Sequence, residues 1–139
     1  MSDGALDILK SSRTIAVVGL SNRRFRASYG VSQYMQGAGY RIIPVNPQEQ
    51  EVLGEKAYPD LVSVPDAVDV VDVFRRPEYV PEIVEQAITK GAKAIWLQEG
   101  VVHEAAAQRA REAGLQVVMD RCMLKEHRRF SVSGQLSPR

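Results

Sequence analysis

The sequence of 139 residues holds one cysteine and two histidines. With a single thiol no disulfide closes within the chain, and a zinc site would have to form without the usual cysteine pairs. No metal site is expected, and a reducing compartment suits the chain. Net charge is almost absent as well: 18 lysines and arginines against 17 acidic residues leave +1. That balance excludes the broad basic face of a general nucleic-acid binder. No apolar run approaches the roughly 20 residues that a membrane-spanning helix needs. The opening Met1-Ser2-Asp3-Gly4 has neither the basic nor the apolar region of a secretory leader. The expected location is therefore the cytoplasm, with neither membrane nor nucleic acid as partner and any protein partner undetermined.

What is present is ordinary for a globular domain, 45% apolar and 25% charged, and the length suffices for one hydrophobic core. Five short runs rich in Val and Ile, at residues 14–19, 40–45, 68–74, 92–97 and 116–119, are nearly continuous in apolar character, as strands covered on both faces are. Helical periodicity fills the spaces between them, in residues 28–38 (Val31, Tyr34, Met35, Ala38), 77–90 (Val80, Ile83, Val84, Ala87, Ile88) and the alanine-rich 103–113. Each of these closes on a glycine, Gly39, Gly91 or Gly114, the usual helix stop. Helices at 5–11 and 122–130 flank the set. Residues 47–65 lack helical periodicity and read as a long connection with one turn near 58–62. The alternation implies a Rossmann-like, doubly wound α/β fold: a mostly parallel five-stranded sheet, order 3-2-1-4-5, with helices on both faces. In that order the ligand-binding switch point falls between strands 1 and 4. One domain is expected over residues 1–130, with a flexible tail over 131–139.

The stretch from Thr14 to Gly30 runs from a buried-type strand through Gly19 and a loop carrying Arg23, Arg24 and Arg26 into a helix. Such an order of parts builds a phosphate cradle. A glycine lets the backbone turn sharply and approach a ligand, and the free amides of the following helix favour an anion. A nicotinamide dinucleotide site would add Gly-x-Gly-x-x-Gly and an acid roughly 20 residues on, for the ribose. Neither is here: the glycine after Gly19 is Gly30, and strand 2 ends Pro44-Val45-Asn46-Pro47. NAD is therefore expected to bind poorly, and the arginine-rich loop suits a ligand with a further phosphate.

Several motifs follow one another in a specific order: Ala16-Val17-Val18-Gly19, Gly39-Tyr40-Arg41 leading to Pro44-Val45-Asn46-Pro47, Leu53-Gly54 with Tyr58-Pro59, and Val70-Val71-Asp72-Val73-Phe74. Gly91-Ala92-Lys93, Trp96-Leu97-Gln98, Asp120-Arg121-Cys122-Met123 and Glu126-His127 complete the series. Together they resemble the small single-domain CoA-binding protein family, whose fold is similar to the CoA-binding domain of the succinyl-CoA synthetase α subunit. The resemblance spans residues 9–130 and implies coenzyme A as ligand. It implies that Gly19, Leu20, Ser21 and Asn22 hold the CoA phosphates, with Arg23, Arg24, Ser28, Tyr29 and Gly30 beside them. Pro44, Val45, Asn46 and Pro47, with Phe74, Arg75, Arg76 and Pro77, would flank the adenosine end. Gln98, Glu99 and Gly100, after strand 4, would meet the pantetheine arm, with Cys122 near its thiol. The synthetase lysine just after strand 2 has no counterpart, since Gln48 and Glu49 stand in that neighbourhood. Its phosphorylated histidine and second domain have none either, so ligase activity does not carry over.

Plainer roles stand beside several of these. The arginines are either phosphate ligands or a solvated loop. Asn46 bonds adenosine or caps the turn before Pro47. Gln98, Glu99 and Gly100 hold the arm or only turn the chain. Asp69 and Asp72, on opposite faces of strand 3, suit structure better than a catalytic pair. His103 begins a surface helix, and His127 complements the dipole at the end of the last one. Cys122 either forms a mixed disulfide with the CoA thiol or packs as a small hydrophobe. The leading function is a module that binds CoA or a short acyl-CoA without turning it over, because no catalytic constellation is visible. The alternative is an enzyme, either an NAD(P)-dependent oxidoreductase or a CoA-transferring activity acting with a partner subunit. A nucleotide-sensing regulator lacks an appended DNA-binding helix-turn-helix.

Overall fold

In the computed structural model, which describes residues 4–137, the Val- and Ile-rich runs form strands and the periodic segments form helices. The order is α1 (Ala5–Ser11), β1 (Thr14–Val18), α2 (Ala27–Gly37), β2 (Arg41–Val45), β3 (Glu51–Val52), β4 (Glu55–Lys56), β5 (Val70–Val73), α3 (Val80–Lys90), β6 (Ala94–Leu97), α4 (Glu104–Glu112), β7 (Gln116–Val118) and α5 (Met123–Val132). A 3₁₀ turn, Pro77–Tyr79, leads into α3. Five strands make one parallel sheet. Successive side chains on a strand point to opposite faces. Ile15, Val17, Ile42, Val70 and Trp96 therefore pack with residues of α1, α2 and α5, whereas Ala16, Val18, Ile43, Val71, Ile95 and Leu97 pack with α3 and α4. Both faces are apolar, so both need helices. Among the described residues no helix is long and apolar enough to cross a membrane.

The expected strand order 3-2-1-4-5 is corrected by the structure to β2-β1-β5-β6-β7. The third strand of the sheet, β5, lies beside β1 and not beyond β2. The cause is at the outer edge of β2, where Tyr58 donates its amide to Pro44 O (3.0 Å) and accepts from Asn46 N (2.8 Å). With that edge taken, the chain returns across the sheet to β1, and the switch point falls between β1 and β5.

Two further differences are local. The connection expected to be irregular carries the antiparallel β3–β4 hairpin, whose turn residues Leu53 (φ 55°) and Gly54 (φ 78°) are both left-handed. That is the requirement of a type I′ turn, normally signalled by Asn-Gly. Residues 131–136, expected to belong to a flexible tail, are held to the fold. Helix α5 runs to Val132, the Gln135 and Leu136 amides donate to Phe130 O (2.9 and 3.2 Å), and Leu136 is buried. Pro138 and Arg139 lie outside the described residues.

Candidate functional site

Gly19 ends β1 with φ 92° and donates its amide to Val45 O at 2.8 Å. A Cβ at this position would sit 2.5 Å from Phe74 O. The missing side chain is what lets the ends of β1 and β5 approach each other. Leu20 then drops fully into the core and anchors the loop that follows. Within that loop Ser21 N donates to Ser28 Oγ (3.2 Å) and Arg23 N to Ser21 Oγ (3.1 Å). The first amides of α2 have no partners inside the helix, and no side chain caps its N-terminus.

This positive helix end opens onto a cleft of about 660 Å³ lined by Gly19, Ser21, Asn22, Arg23, Arg26, Ala27, Ser28, Asn46, Gln48, Glu49 and Phe74. The helix dipole and two guanidinium groups favour an anion there, and Glu49 is the acid in the same lining. Asn46 serves its turn: Nδ2 donates to Leu20 O and Oδ1 accepts from Gln48 N, both at 3.0 Å. It thereby ties the end of β2 to the loop after β1.

A second hollow, about 230 Å³, is lined by Ala27, Val31, Phe74, Gln98, Glu99, Val101 and Cys122. It shares Ala27 and Phe74 with the first, so the two are neighbours across one wall. Beneath it Gln98 is buried. Its Nε2 donates to Asp72 Oδ1, and its Oε1 accepts from Met123 N at 3.4 Å. Asp72 is 1% exposed on the central strand β5. Burial pushes its carboxyl up from the ordinary 3.8 to about 7, against the lowering effect of hydrogen bonds from the Gln98 amide and the Val73 backbone. Cys122 is half-buried and occupies the N-cap of α5 without capping it. Glu99 stands on the rim, paired with Lys125 at 3.1 Å. A third groove, about 230 Å³, includes Val45, Pro47, Arg75 and Tyr79, with the Arg75 guanidinium 4.2 Å above the Tyr79 ring.

The structure thus gathers Gly19, Ser21, Asn22, Arg23, Ser28, Asn46 and Phe74 at the first cleft, and Gln98, Glu99 and Cys122 at the second. Val45, Pro47 and Arg75 fall in the third. Other candidates line none of these hollows. Leu20 and Pro44 are buried, Tyr29 is half-buried against the α2 side of the core, and Arg24, Gly30, Arg76 and Pro77 are exposed. Gly100 (φ 84°) makes a turn, its amide donating to Asp120 Oδ1 at 2.7 Å. Ala27, Gln48, Glu49, Val31 and Val101 were not expected at the site. Arg26 was legible in the loop composition. Glu49 was legible only as the residue standing where the resemblance wants a lysine.

Asp69 lies elsewhere and is structural. It accepts from Arg13 N (2.8 Å) and Thr14 N (3.0 Å). Partial burial raises its carboxyl, but these amides and Lys93 outweigh that and hold it below the ordinary value. His103 Nδ1 accepts from Ala106 N at 3.0 Å and caps α4. His127, expected to complement the dipole at the end of the last helix, is packed against two tyrosines. Its Nδ1 meets Tyr34 OH at 2.9 Å, and the Tyr34 and Tyr40 rings pack edge-on to it.

YneT, an uncharacterized protein of Bacillus subtilis (strain 168), is 46% identical over 121 residues, covering 87% of this chain and 90% of that protein. The solved structure of a hypothetical protein from Pyrococcus horikoshii OT3 superposes with a TM-score of 0.89 at 43% identity, covering 93% of this chain and 92% of that one. An ADP-forming acetate–CoA ligase II of Archaeoglobus fulgidus is 28% identical over 95 residues, which are 66% of this chain but 14% of the ligase. The family described as CoA binding domain matches residues 13–128. With the parallel sheet and that match in hand, the chain belongs to the family of CoA binding domains.

Proposed function

We propose that the protein binds coenzyme A, or a short acyl-CoA, along the C-terminal edge of its sheet and holds it without turning it over. One observation carries this reading: the anion cleft at the start of α2 shares its Ala27 and Phe74 wall with the narrower hollow at Gln98 and Cys122. A ligand with a polyanionic end and a slender uncharged arm fits that succession. The pyrophosphate rests on the amides of Ala27 and Ser28 with Arg23 and Arg26 beside it. The arm passes Phe74 and ends at the Gln98 amide and the Cys122 thiol.

The absence of turnover rests on how the chemically capable groups are used. Both histidines serve the scaffold, His103 as a helix cap and His127 against two tyrosines. Asp72 lies beneath the sheet surface and bonds Gln98. A second reading, CoA transfer with a partner subunit, is favoured by Glu99 on the rim of the inner hollow. The matched stretch in the Archaeoglobus protein, 14% of a ligase, points the same way.

Thermal melting with CoA, acetyl-CoA, NAD, NADP and ATP tests the main reading. A ligand that binds only the native state at a hundredfold over its Kd adds about 2.7 kcal/mol. CoA and acetyl-CoA should each raise Tm well above any nicotinamide nucleotide or ATP. NAD matching CoA would overturn the assignment, and thioester loss from acetyl-CoA on the isolated protein would overturn the non-catalytic part.

A further inference from the structure

Glu49 is the acid that lines the anion cleft. It lies four residues beyond the end of β2 and is fixed from the loop after β1. Its Oε2 accepts from Asn22 N at 2.8 Å and its Oε1 from Asn22 Nδ2 at 3.2 Å, while Asn22 Nδ2 also donates to Glu51 O at 2.6 Å. The carboxylate is therefore built into the wall. Two carboxylate oxygens accept about four hydrogen bonds. The Asn22 contacts use two, and acceptor capacity remains toward the cleft. The same cleft is lined by Ala27 and Ser28 at the start of α2 and by Arg23 and Arg26, groups suited to the anionic part of a ligand. The lining thus offers two kinds of group, helix amides and guanidinium groups for phosphates and the Glu49 carboxylate for hydroxyl donors.

In a nucleotide whose pyrophosphate rests on the helix after the first strand, the ribose reaches the chain after the second. This inference rests on the CoA reading, and in CoA the ribose 3′ oxygen already carries a phosphate. The hydroxyl left to donate is the 2′. We propose that Glu49 is a specificity residue that accepts a hydrogen bond from the ribose 2′-hydroxyl and repels any phosphate ester on that oxygen. The adjacent 3′-phosphate is left to Arg23 and Arg26, which line the same cleft. Among CoA-type ligands the site then favours a free 2′-hydroxyl over a 2′-phosphate, a role the tip of β2, Asn46-Pro47, does not fill. NAD shares the free 2′-hydroxyl, so its weaker binding rests on the 3′-phosphate it lacks.

Calorimetric titration of CoA against its regioisomer carrying the phosphate at the 2′ position, isocoenzyme A, tests the assignment. The native protein should prefer CoA by at least tenfold, and Glu49→Gln, which keeps the shape and removes the charge, should shrink that preference at least fivefold. A native preference under threefold, or one unchanged in Glu49→Gln, overturns it. Should the variant fail to fold, 2′-deoxy-CoA on the native protein decides: it should bind about tenfold more weakly than CoA, and equal binding overturns the proposal. If native protein binds neither CoA nor its isomer, the CoA reading itself falls and takes this one with it. If both isomers bind equally, only the role of Glu49 falls.

Discussion

Replacing Asp72 with asparagine should stabilise the protein, and by an amount that depends on pH. The carboxyl is 1% exposed on the central strand and its affinity for the proton rises from 3.8 to about 7. Burial is the main cause, because a charge without a cationic partner loses its hydration there. The pH dependence follows from proton counting. Below 3.8 the group is protonated in both states and contributes nothing. Between 3.8 and about 7 the unfolded chain has released its proton while the folded one keeps it, so stability falls as pH rises. Above about 7 both states are ionised and the loss is complete. Slightly more than three pKa units at 1.36 kcal/mol each sets an upper bound of about 4 kcal/mol.

The side-chain carbonyl of the introduced asparagine would still accept from Gln98 Nε2, so that contact beneath the inner hollow survives. Its amide adds a buried donor, at a cost on the order of 1 kcal/mol. The net gain for Asp72→Asn at pH 8 is therefore about 2–3 kcal/mol, or roughly 10 °C in Tm for a chain of this size. At pH 4 the same substitution should be neutral or slightly destabilising. Urea denaturation of both proteins from pH 4 to pH 9 measures the difference directly. Asp72→Asn less stable than the native protein at pH 8 would refute this, because the buried carboxylate would then have a stabilising donor that the geometry does not contain.

Gly19→Ala should cost about 2–4 kcal/mol in a thermal melt, since its Cβ meets Phe74 O at 2.5 Å and its φ of 92° is left-handed. Ser32→Ala should stabilise by about 1 kcal/mol, because Ser32 Oγ is buried without a hydrogen-bond partner among the described residues. Arg23→Ala should weaken CoA binding about five- to tenfold at low salt and less at high salt, whereas Arg24→Ala, outside the cleft, should change it less than twofold. In a thiol–disulfide exchange, Cys122 at the inner hollow attacks CoA disulfide, displaces one CoA thiol and retains the other as a mixed disulfide. Intact mass should show a CoA adduct that a reductant removes; its absence on the native protein leaves Cys122 as packing only.

Much of this molecule was legible because two periodicities decide it. Val70-Val71-Asp72-Val73 reads as a strand buried on both faces and is one, and the cleft at the start of α2 was signalled by Gly19 and the arginines. The misses have physical reasons. Strand order depends on which edge is still free after β2, and the occupant, Tyr58, contributes only backbone hydrogen bonds that no side chain advertises. The β3–β4 turn places Leu53 where Asn or Gly is usual, so local chemistry hid the hairpin. Residues 131–136 looked polar, yet the buried Leu136 and the amide bonds to Phe130 O hold them to the fold. Glu49 was visible as an acid but not as part of the site, because only the fold brings the segment after β2 against Asn22.

The corrected strand order has a consequence for the ligand path. In the expected order, strand 4 would adjoin strand 1, and the Gln98 end of that strand would lie roughly 5 Å from the Gly19 end. With β5 between them, the separation doubles to roughly 10 Å, and Phe74, which follows β5, becomes the wall common to both hollows. The inserted strand therefore does two things at once. It presses its carbonyl against Gly19, which shapes the anion cradle. It also sets the inner hollow one strand further out, where Asp72 fixes Gln98 from below and Gln98 in turn receives the first amide of α5. A compact ligand would touch only one of these sites. An extended one spans both, and it is this spacing across β5 that makes a long phosphopantetheine arm a better fit than a short nucleotide.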